Sequence, residues 1–523
     1  MALRPVAIAP GVTARLLARL DAMANRVYGS RFNPLYRSGT ITVAMLAVLL
    51  VTGVYLLLFY RIGSPYASVA RITDQAWAGR WIRGVHRLSS DAALITAIVH
   101  AIRMFAQRRT WGRRVVPWVS GVGLVALILV CGWTGYVMVW DTFGQIIAVE
   151  GARILDLVPL FSEPVGRAFV GHQPVPGAFF FLNLFLHIAL PIGMGIGLML
   201  HVSRVARPLL FPPRPVIAWS VAALIVVAVV RPVMLAPEAD ALRLPASVPI
   251  DVFYAFWIPV ARNIPAAATV AGFAGLLLLA SIVPRLTRPS RNDEPPASVV
   301  DERVCTGCEQ CVQDCPYEAI AMIARSDDRP TLVARVDPSR CVSCGICAGS
   351  CAPMGVGPAG RTGRDQLAAA RAFAQQHAVM PSDVVVIACS RGAGDAARDA
   401  QLGAPVFAVD CAGSLHTSVV EQFLQAGAGG VLVLACPPED CWNREGAVWL
   451  EQRVYHDREA ELQARVDRRR VAVANLTLAD RAGARAALER LRDEVRRLDR
   501  AAPDDIDLLR LCDAEAGVGG DAA

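Results

Sequence analysis

Several things that this 523-residue chain has little of limit what it can do. The first forty residues hold no short apolar core followed by a small-residue cleavage site, so no cleavable signal is expected. No block of basic residues is interleaved with aromatics, and the net charge is a modest +7, which argues against nucleic acid as a partner. A glycine-rich dinucleotide fingerprint is missing, so a flavin or nicotinamide would have to sit on a partner. Cysteine is nearly confined to one segment: twelve of the fourteen lie between residues 305 and 441. Such close spacing points to metal clusters in a reducing compartment rather than to disulfides. Nearly all long apolar runs lie before residue 286; the later part is rich in Arg, Asp and Ala and soluble in character.

Two apolar runs organise the rest. One begins Trp81-Ile-Arg-Gly-Val-His86 and reaches His100; the other runs from Asn183 through His187 to His201. Within each, the two histidines are fourteen residues apart. On an α-helix that step is about 3.9 turns and about 21 Å, so both imidazoles share one face at opposite depths of a membrane. Two such helices facing each other offer two His–His pairs, and six-coordinate haem iron needs an axial nitrogen from each side. The alternative is histidines satisfied inside an ordinary bundle. Two identical spacings favour haem, because an intramembrane ionisable residue is costly.

Glycines repeat the same step: Gly39 with Gly53, and Gly121 with Gly135. A flat macrocycle between helices needs neighbours without side chains at those depths; ordinary small-residue packing is the alternative. Arg83 and Arg103 stand three residues outward of His86 and His100, where they can pair with haem propionates or anchor at the interface.

Six spans are expected, at 40–60, 81–105, 115–138, 178–204, 215–235 and 265–284. The connection at 103–114 holds five arginines and the one at 204–214 three, while the alternate loops carry more acids. This bias puts both termini in the cytoplasm, with His86 and His187 near the outer face and His100 and His201 near the inner face. Residues 1–38 carry six arginines against one acid and read as a cytoplasmic amphipathic lead-in.

Residues 30–205 resemble cytochrome b, especially the short form from photosynthetic complexes. The likeness is carried by Trp81-Ile-Arg-Gly-Val-His86-Arg87, Trp118-Val-Ser-Gly121, Thr134-Gly-Tyr-Val-Met-Val-Trp140-Asp141 and the four histidines. It implies two b-type haems, one held by His86 with His187 and one by His100 with His201, and a possible homodimer. Arg37 stands where the short form has a cysteine that attaches an extra haem, which implies no covalent haem here. Residues 237–285 look like the start of the family's C-terminal half, with Asp251 in place of the glutamate that accepts a quinol proton. A loop carboxylate near a helix start is the equal alternative for Asp251.

A polar linker at 289–300 leads to Cys305-x-x-Cys308-x-x-Cys311-x-x-x-Cys315-Pro316, repeated as Cys341-x-x-Cys344-x-x-Cys347-x-x-x-Cys351. The duplicated run, at 301–360, resembles the bacterial two-cluster ferredoxin. In that pattern the fourth cysteine of each run serves the other 4Fe–4S cluster. One cluster then takes Cys305, Cys308, Cys311 and Cys351, and the other Cys341, Cys344, Cys347 and Cys315.

Residues 381–480 alternate like a small α/β domain with a parallel sheet. Val384–Cys389, Pro405–Cys411 and Gly430–Cys436 read as buried strands, each ending in cysteine, with Cys441 in the loop after the third. Parallel strands gather their C-terminal ends at one edge, so four thiolates meet there and can hold a 2Fe–2S cluster; zinc is the rival. The domain resembles the delta subunit of methyl-viologen-reducing hydrogenase, which delivers electrons to heterodisulfide-reductase-type flavoproteins. The likeness rests on Cys411-Ala-Gly and on Gly427-Ala-x-Gly-Val-Leu-Val-x-Ala-Cys436-Pro-Pro-Glu-Asp-Cys441. That family usually has a second cysteine where Gly392 stands. Residues 481–523 are expected to be a charged, solvated helix and a flexible tail.

The expected architecture is thus multi-domain: an all-α transmembrane bundle at 39–210, two further spans at 211–288, an α+β ferredoxin and an α/β domain. The expected role is a cytoplasmic-membrane electron-transfer subunit. It would link a quinone pool, through two haems, two 4Fe–4S clusters and one 2Fe–2S cluster, to a cytoplasmic flavin-containing, heterodisulfide-reductase-like oxidoreductase. A quinol-driven bifurcating or proton-motive-force-driven module is one alternative, and a non-catalytic anchor and redox sensor another. The first of these needs an outer high-potential acceptor, and the chain has no Rieske-type Cys/His motif.

Overall fold

The structure, a computed structural model, describes residues 12–500 apart from 108, 111–113, 158–163, 170–174, 204–205, 241–242, 244–250, 288–295, 391, 457 and 459. Most of the quinol-loop-like stretch before Asp251, the linker at 289–295, His172 and Cys512 lie outside the described residues. The chain divides into two units, Phe32–Pro289 and Met1–Arg31 with Ser290–Ala523.

Helix α1 (Val12–Phe32) bends at Gly29, whose φ of +70° only glycine adopts cheaply. The apolar unit follows. Helix α2 (Ser38–Phe59) is 22 residues of mean hydropathy 2.6, long enough to cross a bilayer. Helix α3 (Pro65–Asp74) leads to α4 (Gly79–Ala106), which carries His86 and His100. Helix α5 (Val115–Val139) stops at Trp140, which is left-handed at φ +58°. Asp141 then caps α6 (Thr142–Leu155), accepting from the N–H groups of Phe143 and Gly144. Helix α7 (Gly177–Ser203) carries His187 and His201. Helix α8 (Arg214–Val230), the short α9 (Ile258–Ala261) and α10 (Ala266–Leu286) complete the unit.

Five described helices are long and apolar enough to span: α2, α4, α5, α7 and α10. The sixth expected span, 215–235, is the 17-residue α8, which ends at Val230 because Arg231-Pro232 cannot continue a helix. At 1.5 Å per residue it is about 25 Å long, short of a typical hydrocarbon core. It packs on α4, where Gly84 receives Ala228; a Cβ on Gly84 would stand 2.9 Å from the Ala228 methyl. Helix α2 runs along α4 and α5 along α7, and large apolar side chains on the other faces stay exposed, as a lipid-facing bundle requires.

In the other unit, β1 (Val299–Val300), α11 (Gln310–Gln313), β2 (Ile320–Ile323), β3 (Val333–Val336), α12 (Ile346–Ser350) and β4 (Val356–Gly357) form the cysteine-rich segment. Strands β1 and β4 pair antiparallel, as do β2 and β3. Helix α13 (Gly363–Gln376) opens on a capping box from Thr362 and Asp365. Then β5 (Val384–Cys389), α14 (Ala393–Asp399), β6 (Val406–Val409), α15 (Thr417–Gln425), β7 (Gly430–Ala435), α16 (Gly446–Tyr455), β8 (Val471–Asn475) and α17 (Arg481–Arg500) alternate. The sheet is parallel throughout, in the order β6-β5-β7-β8. Strands β5 and β7 are buried end to end, which is why they read as unbroken apolar runs.

Two sequence expectations change here. Strand β8 adds a fourth strand at the edge; its single fully buried residue, Val471, leaves a weak signal. The charged helix expected to be solvated is α17, and Ala484, Ala487, Leu488, Leu491 and Val495 on one face cover the sheet. Seven arginines hide that stripe in composition, but its three-to-four spacing is amphipathic. The α/β domain therefore extends to about residue 500.

Candidate metal centres

In the apolar unit the four histidines lie where helix pairs meet. His86 and His187 face each other with ring centres 6.5 Å apart and planes tilted by 57°. An imidazole nitrogen bonds a metal at about 2.0 Å, so two rings on opposite sides of one iron put their centres roughly 6 Å apart. The pair therefore matches an axial set. His201 is likewise the neighbour of His100.

Each glycine of the repeated step stands against one of these rings. A Cβ on Gly39 would lie 2.8 Å from His100 Nδ1, one on Gly53 3.2 Å from His86 Cε1, one on Gly121 3.4 Å from His201 Cε1, and one on Gly135 3.1 Å from His187 Cε1. What the glycines spare directly is the imidazole of the partner helix.

Three hydroxyls complete the arrangement. Thr52, Thr134 and Ser120 each place Oγ 2.9 Å from Nδ1, of His86, His187 and His201 respectively. With Nδ1 engaged, the ring orientation is set and Nε2 is left for a metal. Sequence reasoning missed these residues, although a signal existed: a Ser or Thr precedes each glycine, in Ser38-Gly39, Thr52-Gly53, Ser120-Gly121 and Thr134-Gly135. Thr134→Val is expected to weaken haem retention at the His86–His187 pair by about 10–100-fold. Haem content after a dilution series of apo-protein reconstitution measures it, and unchanged retention would count against the orienting role.

The arginines are placed less simply. Arg83 Nη1 donates to the Val233 carbonyl at 2.6 Å, and Arg103 is buried with its guanidinium 5.1 Å over the Tyr36 ring. Asp251 is heavily engaged. Its Oδ2 takes Arg87 Nη2 at 2.5 Å and the Tyr136 hydroxyl, while Oδ1 caps the N–H groups of Phe253 and Tyr254 at 2.8 and 2.7 Å. This is the work of a carboxylate that positions the loop; proton acceptance would require Arg87 to let go.

In the second unit, Cys305, Cys308, Cys311 and Cys351 line one cavity together with Pro353 and Gly355. Cys344 lies beside Cys347, Cys315 and Cys341. The fourth cysteine of each run thus lies beside the first three of the other run. Burial pushes the Cys347 thiol up to about 12 and Cys344 well above its ordinary value, so filling their site must drive protons off. Backbone N–H groups already aim at the sulfurs: Ala319 at Cys315 (3.3 Å), Gly355 at Cys351 (3.2 Å) and Ser343 at Cys341 (3.4 Å).

The third group sits at the C-terminal edge of the sheet. The Cys389 and Cys436 sulfurs are 3.8 Å apart, Cys441 neighbours both Cys436 and Cys411, and all four are buried. The sulfur contacts run in a row, Cys389–Cys436–Cys441–Cys411. Among the described residues no group of three or more His, Cys, Asp or Glu surrounds a point suited to a single metal ion. Two thiolates on one tetrahedral metal at about 2.3 Å stand about 3.8 Å apart, the separation of the Cys389–Cys436 pair. Gly392 leaves room for Cys436 Sγ, and Gly446 for Cys411 and Cys441, whose sulfurs would lie 2.8 and 3.4 Å from an added Cβ.

Three family models match these regions in chain order. Residues 23–207 match Cytochrome b/b6/petB, residues 304–355 the 4Fe-4S dicluster domain, and residues 384–499 the methyl-viologen-reducing hydrogenase delta subunit. The chain is thus similar, region by region, to a cytochrome b, a 4Fe–4S dicluster domain and a hydrogenase delta subunit. A curated relative, the menaquinol:cytochrome c reductase cytochrome b subunit of Bacillus subtilis (strain 168), is 25% identical over 183 residues, 33% of this chain and 82% of the relative. A solved structure described as hyperthermophilic respiratory Complex III shares 16% identity at a TM-score of 0.38, over 48% of this chain and 75% of that one. The cytochrome b and iron–sulfur regions make this a multi-pass membrane protein of electron transfer, built for haem b and 4Fe–4S clusters.

Proposed function

We propose that the chain is the membrane subunit that exchanges electrons between a quinone pool and a cytoplasmic flavin oxidoreductase of heterodisulfide-reductase type. The bound haems and clusters supply the one-electron chemistry. The chain's own residues bind, orient and shield them. His86 with His187, and His100 with His201, hold two b-type haems, with Thr52, Thr134 and Ser120 fixing the rings. Cys305, Cys308, Cys311 and Cys351 hold one 4Fe–4S cluster, and Cys315, Cys341, Cys344 and Cys347 the other. Cys389, Cys436, Cys411 and Cys441 hold a 2Fe–2S cluster, one pair to each iron, which a row of sulfurs suits better than a single zinc does.

The His86–His187 separation of 6.5 Å carries this reading. The arginine-rich connections support an orientation with both termini and the iron–sulfur domains on the cytoplasmic side of the inner membrane, and with α8 as a sixth, short span. Quinone then binds near the inner pair, beside His201 and the Arg103 region, since Asp251 on the outer side is tied to Arg87. The hydrogenase delta-subunit region provides the docking face for the soluble flavoprotein.

A quinol analogue added anaerobically to the purified protein is expected to produce reduced b-type absorption bands, and a quinone-site inhibitor to block them. Haems that stay oxidised with quinol and are not reoxidised by quinone would end the quinone-linked reading.

A further inference from the structure

The ferredoxin segment and the sheet meet through contacts that begin next to cysteines of one ferredoxin site. Behind Cys315, the Pro316 carbonyl accepts from Arg444 at 3.0 Å and the Tyr317 hydroxyl donates to Asn443 Oδ1 at 3.4 Å. Beside Cys344, Gly345 lies on Ser414, where a Cβ would come within 2.9 Å of the serine Cβ. The Ser343 carbonyl accepts from Arg361 at 3.2 Å, and Arg361 pairs with Asp410, the residue before Cys411. Arg453, fully buried, donates to the carbonyls of Gly413 (2.7 Å) and Leu415 (2.9 Å) and feels both Cys347 and Cys411. It approaches so closely that Gly349 has no room for a side chain.

Asn443 completes the connection. It is buried, and it stands beside both Cys411 and Cys441. One residue thus neighbours both sulfurs at one end of the third group and, through Tyr317, reaches the chain beside Cys315. The first site's contact with the sheet is of another kind. The Cys351 carbonyl accepts from His416 Nε2 at 3.2 Å, and His416 leads on to Ser418 and Gln366 rather than to a sulfur. The cavity of the first site is walled by residues 300–356 alone.

We propose that the site of Cys315, Cys341, Cys344 and Cys347, and not the site of Cys305, Cys308, Cys311 and Cys351, exchanges electrons with the sheet-edge sulfur site, with Tyr317 and Asn443 as the bridge. This rests on the 2Fe–2S reading of the sheet-edge site. Each crossing oxidises one centre and reduces the other by one electron; no bond forms or breaks and no proton is needed. The buried polar side chain of Asn443 beside two of the sulfurs also makes it a residue that sets the potential of that site.

The test is an electron paramagnetic resonance redox titration of the full-length protein, following how fast the 2Fe–2S signal relaxes as each 4Fe–4S centre is reduced. Cys344→Ser and Cys308→Ser keep an oxygen ligand while shifting the potential of one centre each. The relaxation enhancement is expected to follow Cys344→Ser and to ignore Cys308→Ser. If Cys344→Ser empties its site, the enhancement should vanish while the 2Fe–2S signal stays. Asn443→Leu is expected to lower the 2Fe–2S reduction equilibrium about tenfold, 59 mV for one electron, with both 4Fe–4S potentials unmoved. Enhancement that follows Cys308→Ser, or survives an empty second site, overturns the route with the cofactor reading intact. A wild-type protein with no 2Fe–2S signal removes that reading and the route with it.

Discussion

His187→Leu is expected to cost the protein one of the two haems proposed for it. His187 faces His86 at 6.5 Å between ring centres and is oriented by Thr134, so its loss removes one of two axial nitrogens and the reason for that ring geometry. Leucine suits an apolar span, so α7 should still insert. The expected result is about half the wild-type haem per protein and a single wave in a redox titration, with the iron–sulfur signals unchanged. Gly135→Val should act in the same way by a different route, because even a Cβ at Gly135 would stand 3.1 Å from His187 Cε1. His201→Leu should remove the other wave. Two haems retained in His187→Leu would show that His86 and His187 do not share an iron.

Gly392→Val is expected to abolish the sheet-edge cluster while leaving the sheet folded. The Gly392 Cα sits against Cys436 Sγ, and any added Cβ would overlap that sulfur. Cys436 is central in the row, touching both Cys389 and Cys441, so displacing it separates the remaining sulfurs. The strands should hold, since Val385, Ile387, Val431 and Val433 are buried in a core that does not depend on a metal. Iron analysis should show about two fewer irons per protein, with the 4Fe–4S signals intact and unfolding little changed. Gly392→Cys, which restores the pattern usual in the related hydrogenase subunit, should also fail to add a ligand, because its Cβ meets the same sulfur. A 2Fe–2S signal of normal amplitude in Gly392→Val would mean that Cys436 is not a ligand.

The sequence expectations held best where one local rule decides the outcome. Strands β5 and β7 appear within a residue of their apolar runs, because burial on both faces forces an unbroken run. Helix α8 was overextended by five residues, because hydropathy continued through Arg231-Pro232 while backbone hydrogen bonding could not. Helix α17 reads by composition as a solvated cap, because its arginines outweigh six buried apolar residues in composition but not in periodicity. The hydroxyls on the imidazoles went unread, although their positions were written beside the glycines in four Ser-Gly or Thr-Gly pairs.

By itself the sequence determined which groups are available and at what intervals: thirteen residues between imidazoles, two or three between cluster cysteines, a cysteine at the end of three apolar runs. Those intervals follow from helix rise and loop reach, which are properties of a single segment. Only the tertiary structure decided what faces what. It set His86 at 6.5 Å from His187, strung four sulfurs from three loops into a row, tied Asp251 to Arg87, and put Tyr317 on Asn443. Tyr317 and Asn443 are 126 residues apart along the chain, and Asp251 and Arg87 are 164 apart. Their meeting depends on how whole helices and strands pack, a free-energy balance over the entire unit that no local spacing carries.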